Sequence, residues 1–233
     1  MKPNDQFNYK NVNENRNSYV GKLICFALFI VLGVGIFYII FSANIGQTTT
    51  LIIGIILTAI SFFLLSFILS TYNRLVSYSN KVSESLALID IQLKLRFDLI
   101  PNLVSTVKGY AKHEKDIFKE LSELRSLAYE AQNQKQKIAY ANNMVPKIRQ
   151  LVAISESYPE LKSDALYKSL MSELVVVEDK IVAARRIYDS NVNVFNTEIM
   201  TFPSNLIAKL FDFNKVELFK IDAGERLTPL VKL

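Results

Sequence analysis

The chain has 233 residues, half of them hydrophobic, and a formal charge of +5. That length leaves room for one ordinary domain plus extras. A single cysteine excludes any disulfide within the chain. Basic residues alternate with acidic ones outside the N-terminal tail, which excludes the one-sided positive footprint of a nucleic-acid binder.

Residues 1–22 are rich in asparagine (Asn4, Asn8, Asn11, Asn13, Asn15, Asn17) and have almost nothing apolar to bury, so a disordered tail is expected. Two uncharged apolar runs follow. LICFALFIVLGVGIFYIIF covers residues 23–41, and LIIGIILTAISFFLLSFILS covers residues 51–70. Crossing a hydrocarbon core takes about 20 apolar residues, and only a helix satisfies its own backbone there. Both runs are therefore predicted transmembrane helices, with SANIGQTTT, residues 42–50, as a short external loop. The first run is longer than the apolar region of a signal peptide, and Phe41 stands where a small residue is wanted before a cleavage site. Cys25 lies near the start of its run, not after it, so it reads as small apolar filler and not as a lipidation site. Lys2, Lys10, Arg16 and Lys22 precede the first run, Arg74 and Lys81 follow the second, and the connector has neither Lys nor Arg. Positive charge marks the cytoplasmic side. The expectation is a multi-pass protein of the cell inner (cytoplasmic) membrane with both termini in the cytoplasm.

Between residues 72 and 198 there are one glycine, Gly109, and three prolines, Pro101, Pro146 and Pro159. A β-rich domain needs far more turn residues, and apolar residues recur here at spacings of three and four. Ile117, Leu121, Leu124 and Ala128 mark one helix; Ile148, Leu151, Val152 and Ile154 mark another over about residues 138–155. QNQKQK, residues 132–137, is the predicted turn between them. SESYPELKSD, residues 155–164, is read as a loop ending in an N-cap at Asp164, before a long helix carrying Leu166, Leu170, Leu174, Val177, Ile181, Ala184, Tyr188, Val192, Phe195 and Ile199 on one face. The predicted fold class is all-α, a two-span transmembrane hairpin followed by an antiparallel three- to four-helix bundle with long helices.

The stretch IDIQLKLRFDL, residues 89–99, alternates apolar and polar residues like a half-buried strand. At 100° per residue, however, Val82, Leu86, Ile89, Leu93, Phe97, Ile100, Val104 and Val107 fall within about 80° of one another. That stripe outruns the alternation at both ends, so the segment is a helix, and Pro101 is expected to kink it rather than end it. No proline interrupts residues 55–100, so the second span can continue into this helix as one rod. Leu88, Ile91, Leu95 and Leu99 form a second apolar stripe on the other side, to be covered either within the bundle, by the C-terminal segment with Phe202, Phe211, Phe213 and Phe219, or by another copy of the protein. Asp90, Lys94 and Asp98 make a charged row at i, i+4 spacing, read as surface ion pairs.

These residues resemble the LemA family. The similarity rests on TYNRLVSYSNKVSESLALIDIQLKLRFDLIPNLVSTVKGYAKHE from Thr71, on SESYPELKSD, on ARRIYDSNVNVFN from Ala184 and on TFPSNLIAKLFDF from Thr201. It covers roughly residues 71–233. The resemblance implies a bacterial cell-envelope protein with a short N-terminus, one anchor and a cytosolic antiparallel helical bundle, without established catalysis or cofactor. Relatives tied to magnetosomes add a suggestion of membrane organisation. Here the extra run at residues 23–41 and its polar tail depart from the family pattern. The domains expected are the tail 1–22, spans 23–41 and 51–70 joined by loop 42–50, a LemA-like bundle over 71–200, and a C-terminal segment, 201–233, packing on that bundle.

The chain offers little for catalysis. His113 is the one histidine; it has Glu114 beside it but Ile117 at i+4, so no zinc-protease pair forms, and a solvated helix end suits it better. The soluble part has only Gly109 and Gly224, too few for a phosphate loop. Carboxylates Asp90, Asp98, Glu114, Glu173 and Glu178 lack the paired histidines of bundle di-metal sites. No enzyme activity, cofactor or metal is expected. The candidate interaction surface is Leu88, Ile91, Leu95 and Leu99 with Gln92, Arg96 and Asn102, polar residues that either set helix register or grip a partner. Two readings follow. One is a membrane-anchored scaffold binding itself, as a homo-oligomer, or an unidentified envelope protein. The other is a membrane-active or transport-coupled protein whose hairpin does more than anchor. Against the latter, neither span carries a charged residue.

Overall fold

The computed structural model describes residues 33–36, 38, 47–111 and 113–219. The tail 1–22, Cys25, most of the first apolar run and residues 220–233 lie outside them. Of the first run, residues 33–36 and 38 are helical. From residue 47 onward every regular element is a helix: α1 (Gln47–Tyr110), α2 (Lys115–Glu130), α3 (Gln134–Glu156), α4 (Pro159–Ser163), α5 (Ala165–Met200) and α6 (Ser204–Leu210). Among the described residues there is no strand, so the alternation at residues 89–99 belongs to a helix.

Helix α1 is one uninterrupted element of 64 residues. It begins at Gln47, so the end of the connector, expected as loop, is already helical. Residues 51–70 are mostly exposed, and this is the one helix among the described residues long and apolar enough to cross a membrane. The sole hydroxyl of the segment's first half that needs a partner is served locally. Thr58 Oγ1 donates to the carbonyls of Gly54 (3.0 Å) and Ile55 (2.8 Å).

The chain divides into two compact units, one of residues 1–80 and 194–216, the other of residues 81–193 and 217–233. In the second unit, four helical segments surround a core that includes Ile89, Leu93 and Phe97 from α1, Leu121 from α2, Met144 and Leu151 from α3, and Leu174 and Ile181 from α5. Polar contacts set the directions. Asn191 meets the Lys81 carbonyl at 3.2 Å, Arg96 meets Glu178, and Tyr110 meets Asp164 at 3.1 Å, so α5 runs antiparallel to α1. Asp90–Lys137 and Arg96–Ala141 advance together, so α3 runs parallel to α1. The turn before α3 is shorter than the expected 132–137, because Asn133 caps the helix at once by accepting from the Gln136 N–H at 2.8 Å. Likewise 155–164 is not all loop. Pro159 at the first helical position starts the one-turn α4, and Asp164 then caps α5 as expected, its Oδ1 accepting from the Tyr167 N–H at 2.8 Å.

Helix α1 continues through Pro101 without ending there. A proline removes the N–H that would bond the carbonyl four residues back, here that of Phe97. Arg125 of α2 supplies the missing donor, its Nε reaching the Phe97 carbonyl at 2.8 Å. The same guanidinium lies over the Tyr129 ring at 5.0 Å, and Tyr129 packs on Phe97 at 5.8 Å.

In the first unit, an aromatic cluster closes on α1 just past residue 70. Tyr72 packs against Phe211 (4.8 Å) and Phe213 (6.0 Å), and Phe213 meets Phe195 at 6.3 Å. Arg74 pairs with Glu198 at 2.5 Å. Asn196 holds Val216 by two hydrogen bonds, 2.8 and 3.0 Å. The residues after α6 thus run back along α5; in the second unit, the Phe219 N–H donates to Asp189 at 2.9 Å and its ring stands edge-on to Tyr188. Phe202, expected among these covering aromatics, is instead exposed.

Two outcomes are expected. Arg125→Ala leaves the Phe97 carbonyl unmet and costs about 1–2 kcal/mol, whereas in a Pro101→Ala background, whose residue 101 N–H serves that carbonyl, it costs markedly less. Denaturant titration of the four proteins of this cycle measures the coupling. The backbone N–H of Tyr167 holds the Asp164 carboxyl below its ordinary 3.8. A folded-state value below the unfolded one stabilises the protein above that range and ceases to do so as pH falls through it. The stability gap between the parent and Asp164→Ala therefore stays level near neutrality and narrows under acid, as thermal melts across pH will show.

Candidate interaction surface

Where α1 passes through the second unit, the described residues surround it on one side only. The buried arc runs from Leu99 through Leu103, Arg96, Ile89 and Leu93 to Phe97, about 160° at 100° per residue. This is twice the width of the apolar stripe read from the sequence. The excess width takes in two of the candidate residues. Leu99, at the edge of the second stripe nearest the core, is buried, and so is Arg96. The stripe therefore divides. Leu88 (40% exposed), Ile91 (54%) and Leu95 (42%) stay on the outside, so of the covers read as open from the sequence, the bundle supplies one for Leu99 alone among the described residues.

Arg96 is not a surface residue at all. With 1% of its area exposed, it is the largest fully buried side chain among the described residues. Its Nη1 donates to the Ala141 carbonyl of α3 at 3.0 Å, and its Nη2 pairs with the Glu178 carboxylate of α5. One guanidinium thus joins three helices. A buried cation without a counter-charge is costly, so the presence of Glu178 one-third exposed at the rim of the core is what allows Arg96 inside. Gln92, one turn earlier, is half-buried; its Oε1 and the Arg96 Nε are both enclosed without a partner among the described residues. Asn102 is exposed, its carbonyl accepting from Ser105 (2.9 Å) and Thr106 (2.9 Å). It remains on the outside with Leu88, Ile91 and Leu95, while Arg96 and Leu99 leave the proposed surface.

The charged row beside the stripe does not pair internally as expected. Asp90 takes Lys137 of α3 at 2.5 Å, with Gln134 at 3.3 Å, and Asp98 accepts from the Tyr129 hydroxyl of α2 at 2.6 Å. That hydrogen bond, with burial and the negative charge of Asp98 adding to it, raises the Tyr129 phenol above its ordinary value. The row is a seam between α1 and its neighbours. Sequence reasoning missed Arg125 as a partner of this helix. The signal was present in Pro101, whose missing N–H requires an outside donor for Phe97. It also left Glu178 in a list of loose carboxylates, because nothing local marks it as the partner of a residue 82 positions away.

No group of three or more His, Cys, Asp or Glu side chains is placed to hold a metal ion among the described residues. His113 sits exposed in the turn between α1 and α2. What this region offers is a narrow apolar strip, with exposed Glu84 and Asn102 at its ends along the helix.

Comparison with known proteins agrees with the motifs. The model of the LemA family matches residues 85–233. The protein LemA of Metamycoplasma hominis is 25% identical over 203 residues, spanning 87% of this chain and 80% of that protein. The magnetosome protein MamQ 2 of Paramagnetospirillum magneticum is 25% identical over 214 residues, 80% of this chain and 77% of that one. The magnetosome protein MamQ of Magnetospirillum gryphiswaldense is 25% identical over 192 residues, 70% of each.

Removing Glu178 alone should be far worse than removing the pair. Glu178→Ala strands the guanidinium and is expected to cost about 3 kcal/mol, while Arg96→Met with Glu178→Met recovers most of that loss. Denaturant titration of the full-length protein in detergent checks both.

Proposed function

Because the chain belongs to the LemA family, we propose that it is a non-catalytic, membrane-anchored scaffold of the bacterial cell envelope that presents its helical bundle to another copy of itself or to an envelope protein. The observation that carries this reading is the exposed strip Leu88, Ile91 and Leu95 on the outer side of a helix whose inner side is core. A helix apolar on two sides is one that is covered on two sides, and among the described residues only one side is covered. The relatives named as magnetosome proteins belong to a membrane-bounded organelle, a setting in which ordering proteins on a membrane is useful work.

The anchor is read as a two-span hairpin. Two features support the pairing of the spans. Gly54 lies on α1 with the Tyr38 ring 3.8 Å from where a side chain would begin. Gly54, Leu57, Ser61, Leu65 and Ile68 are half-buried and fall on one face of α1, the spacing of a helix packed along another. With no charged residue in either apolar run, the hairpin serves as an anchor rather than a pathway. The distribution of Lys and Arg then puts both termini and the bundle in the cytoplasm. The division into tail, two spans, bundle and C-terminal segment is part of this same reading.

The test is the mass of the detergent-solubilised full-length protein by light scattering, beside a variant with Leu88, Ile91 and Leu95 all changed to Ser. All three are exposed, so stability should change by no more than about 0.5 kcal/mol per position. A parent oligomer that becomes a folded monomer supports self-association through this strip. Equal masses with equal helicity remove the strip from self-association and leave a different partner as its occupant.

A further inference from the structure

A second apolar surface lies in the unit formed by residues 1–80 and 194–216, and it is placed where a membrane would meet it. Helix α6 buries Ser204, Ile207 and Ala208, with Phe211 following on the same side. Its other side is also apolar. Phe202 (74% exposed), Leu206 (58%) and Leu210 (64%) stand outward, with Lys209 exposed beside them. Met200, at the end of α5, is exposed close by in sequence. Solvated turns do not ordinarily gather an exposed Phe and two exposed Leu within nine residues.

The level of this surface along α1 follows from two contacts within the same unit. Arg74 pairs with Glu198, two residues before α5 ends. Tyr72 packs against Phe211, the residue immediately after α6. The apolar run of α1 ends at residue 70. At about 1.5 Å per residue, Tyr72 and Arg74 lie about 3 and 6 Å beyond that end. The headgroup zone on each side of a hydrocarbon core is about 5–7 Å deep. Resting on the membrane-anchor reading above, we propose that Phe202, Leu206 and Leu210 insert into the headgroup–acyl boundary of the bilayer leaflet that α1 enters.

The chemistry suits that zone and not the deeper core. Interfacial helices bury an apolar face about 5–10 Å into this boundary while cationic side chains reach back to the phosphates. Lys209 is on the same short helix, and Tyr72 is placed as an aromatic belt residue. The inner face of α6 ties the inserted edge to α1 through Phe211, so the span and α6 would hold the cytoplasmic end of the anchor at a set depth. This is a lipid contact, distinct from the protein-facing strip at Leu88, Ile91 and Leu95.

The protein contains no tryptophan, so a single introduced one reports on its own surroundings. Full-length Phe62→Trp, Phe202→Trp and Leu206→Trp proteins are reconstituted into phosphatidylcholine vesicles whose acyl chains carry bromine at a shallow or a deep position. Phe62, within residues 51–70, reports on the span. The expected result is quenching of Phe62→Trp by the deep bromines. Phe202→Trp and Leu206→Trp should be quenched most by the shallow ones, with emission shifted to the blue of a solvated Trp. If Phe62→Trp is quenched and the reporters at 202 and 206 are both unquenched, the span stands and the lipid contact is overturned. A blue-shifted but unquenched signal from them likewise overturns it, identifying a second copy or the tail as the cover. If Phe62→Trp itself is unquenched, the membrane anchor fails and the proposal with it.

Discussion

A guanidinium enclosed in an apolar core needs acceptors for its charge, and those acceptors must come from fixed places. Arg96 meets this requirement with the Ala141 carbonyl and the Glu178 carboxylate. Sliding α3 or α5 by one turn against α1 would remove both partners and leave a charge in a medium that solvates it poorly. Hydrophobic contacts alone tolerate such slips, since one leucine fits where another did. The buried cation therefore selects one register among several that the apolar stripes permit, and the pairs Asn191–Lys81 and Tyr110–Asp164 agree with that register. A buried pair of this kind adds little net stability; its contribution is to specificity.

The length of α1 adds a second constraint. A helix that continues from an exposed apolar run into a packed bundle must avoid interruption, yet it contains Pro101. Arg125 resolves the conflict by donating to the carbonyl that the proline abandons. Because Arg125 also lies against Tyr129, whose hydroxyl holds Asp98, the repair of one backbone defect organises the whole face between α1 and α2. Local chemistry and tertiary order depend on each other here.

The two exposed apolar surfaces have different settings. The strip at Leu88, Ile91 and Leu95 lies on the outside of the packed unit that α1 enters, rimmed by polar residues, and is shaped for another helix. The edge at Phe202, Leu206 and Leu210 belongs to the unit that carries the apolar run, within about a turn of its end, and is shaped for lipid. On the proposed reading, a scaffold held at a fixed depth and able to pair through its bundle would order proteins on a membrane without performing any reaction.

Much of this was determined by the sequence itself. Repeats of three and four, scarce glycine and uncharged apolar runs are local, additive signals, so the all-helical class, the apolar stretch of α1, the cap at Asp164 and the inner stripe from Val82 to Val107 could be read directly. What only the tertiary structure decided concerns partners distant in the chain. Leu99 and Arg96 are buried while Leu88, Ile91 and Leu95 are not, because the width of a helix's buried arc depends on how many neighbours surround it. Asp90 and Asp98 reach other helices instead of Lys94 for the same reason. Phe202 was one candidate to cover the outer stripe and is itself exposed, since hydrophobicity shows that a side chain avoids water but not whether protein or lipid provides the refuge. Periodicity states which residues share a face; only the packing of the other helices states what that face meets.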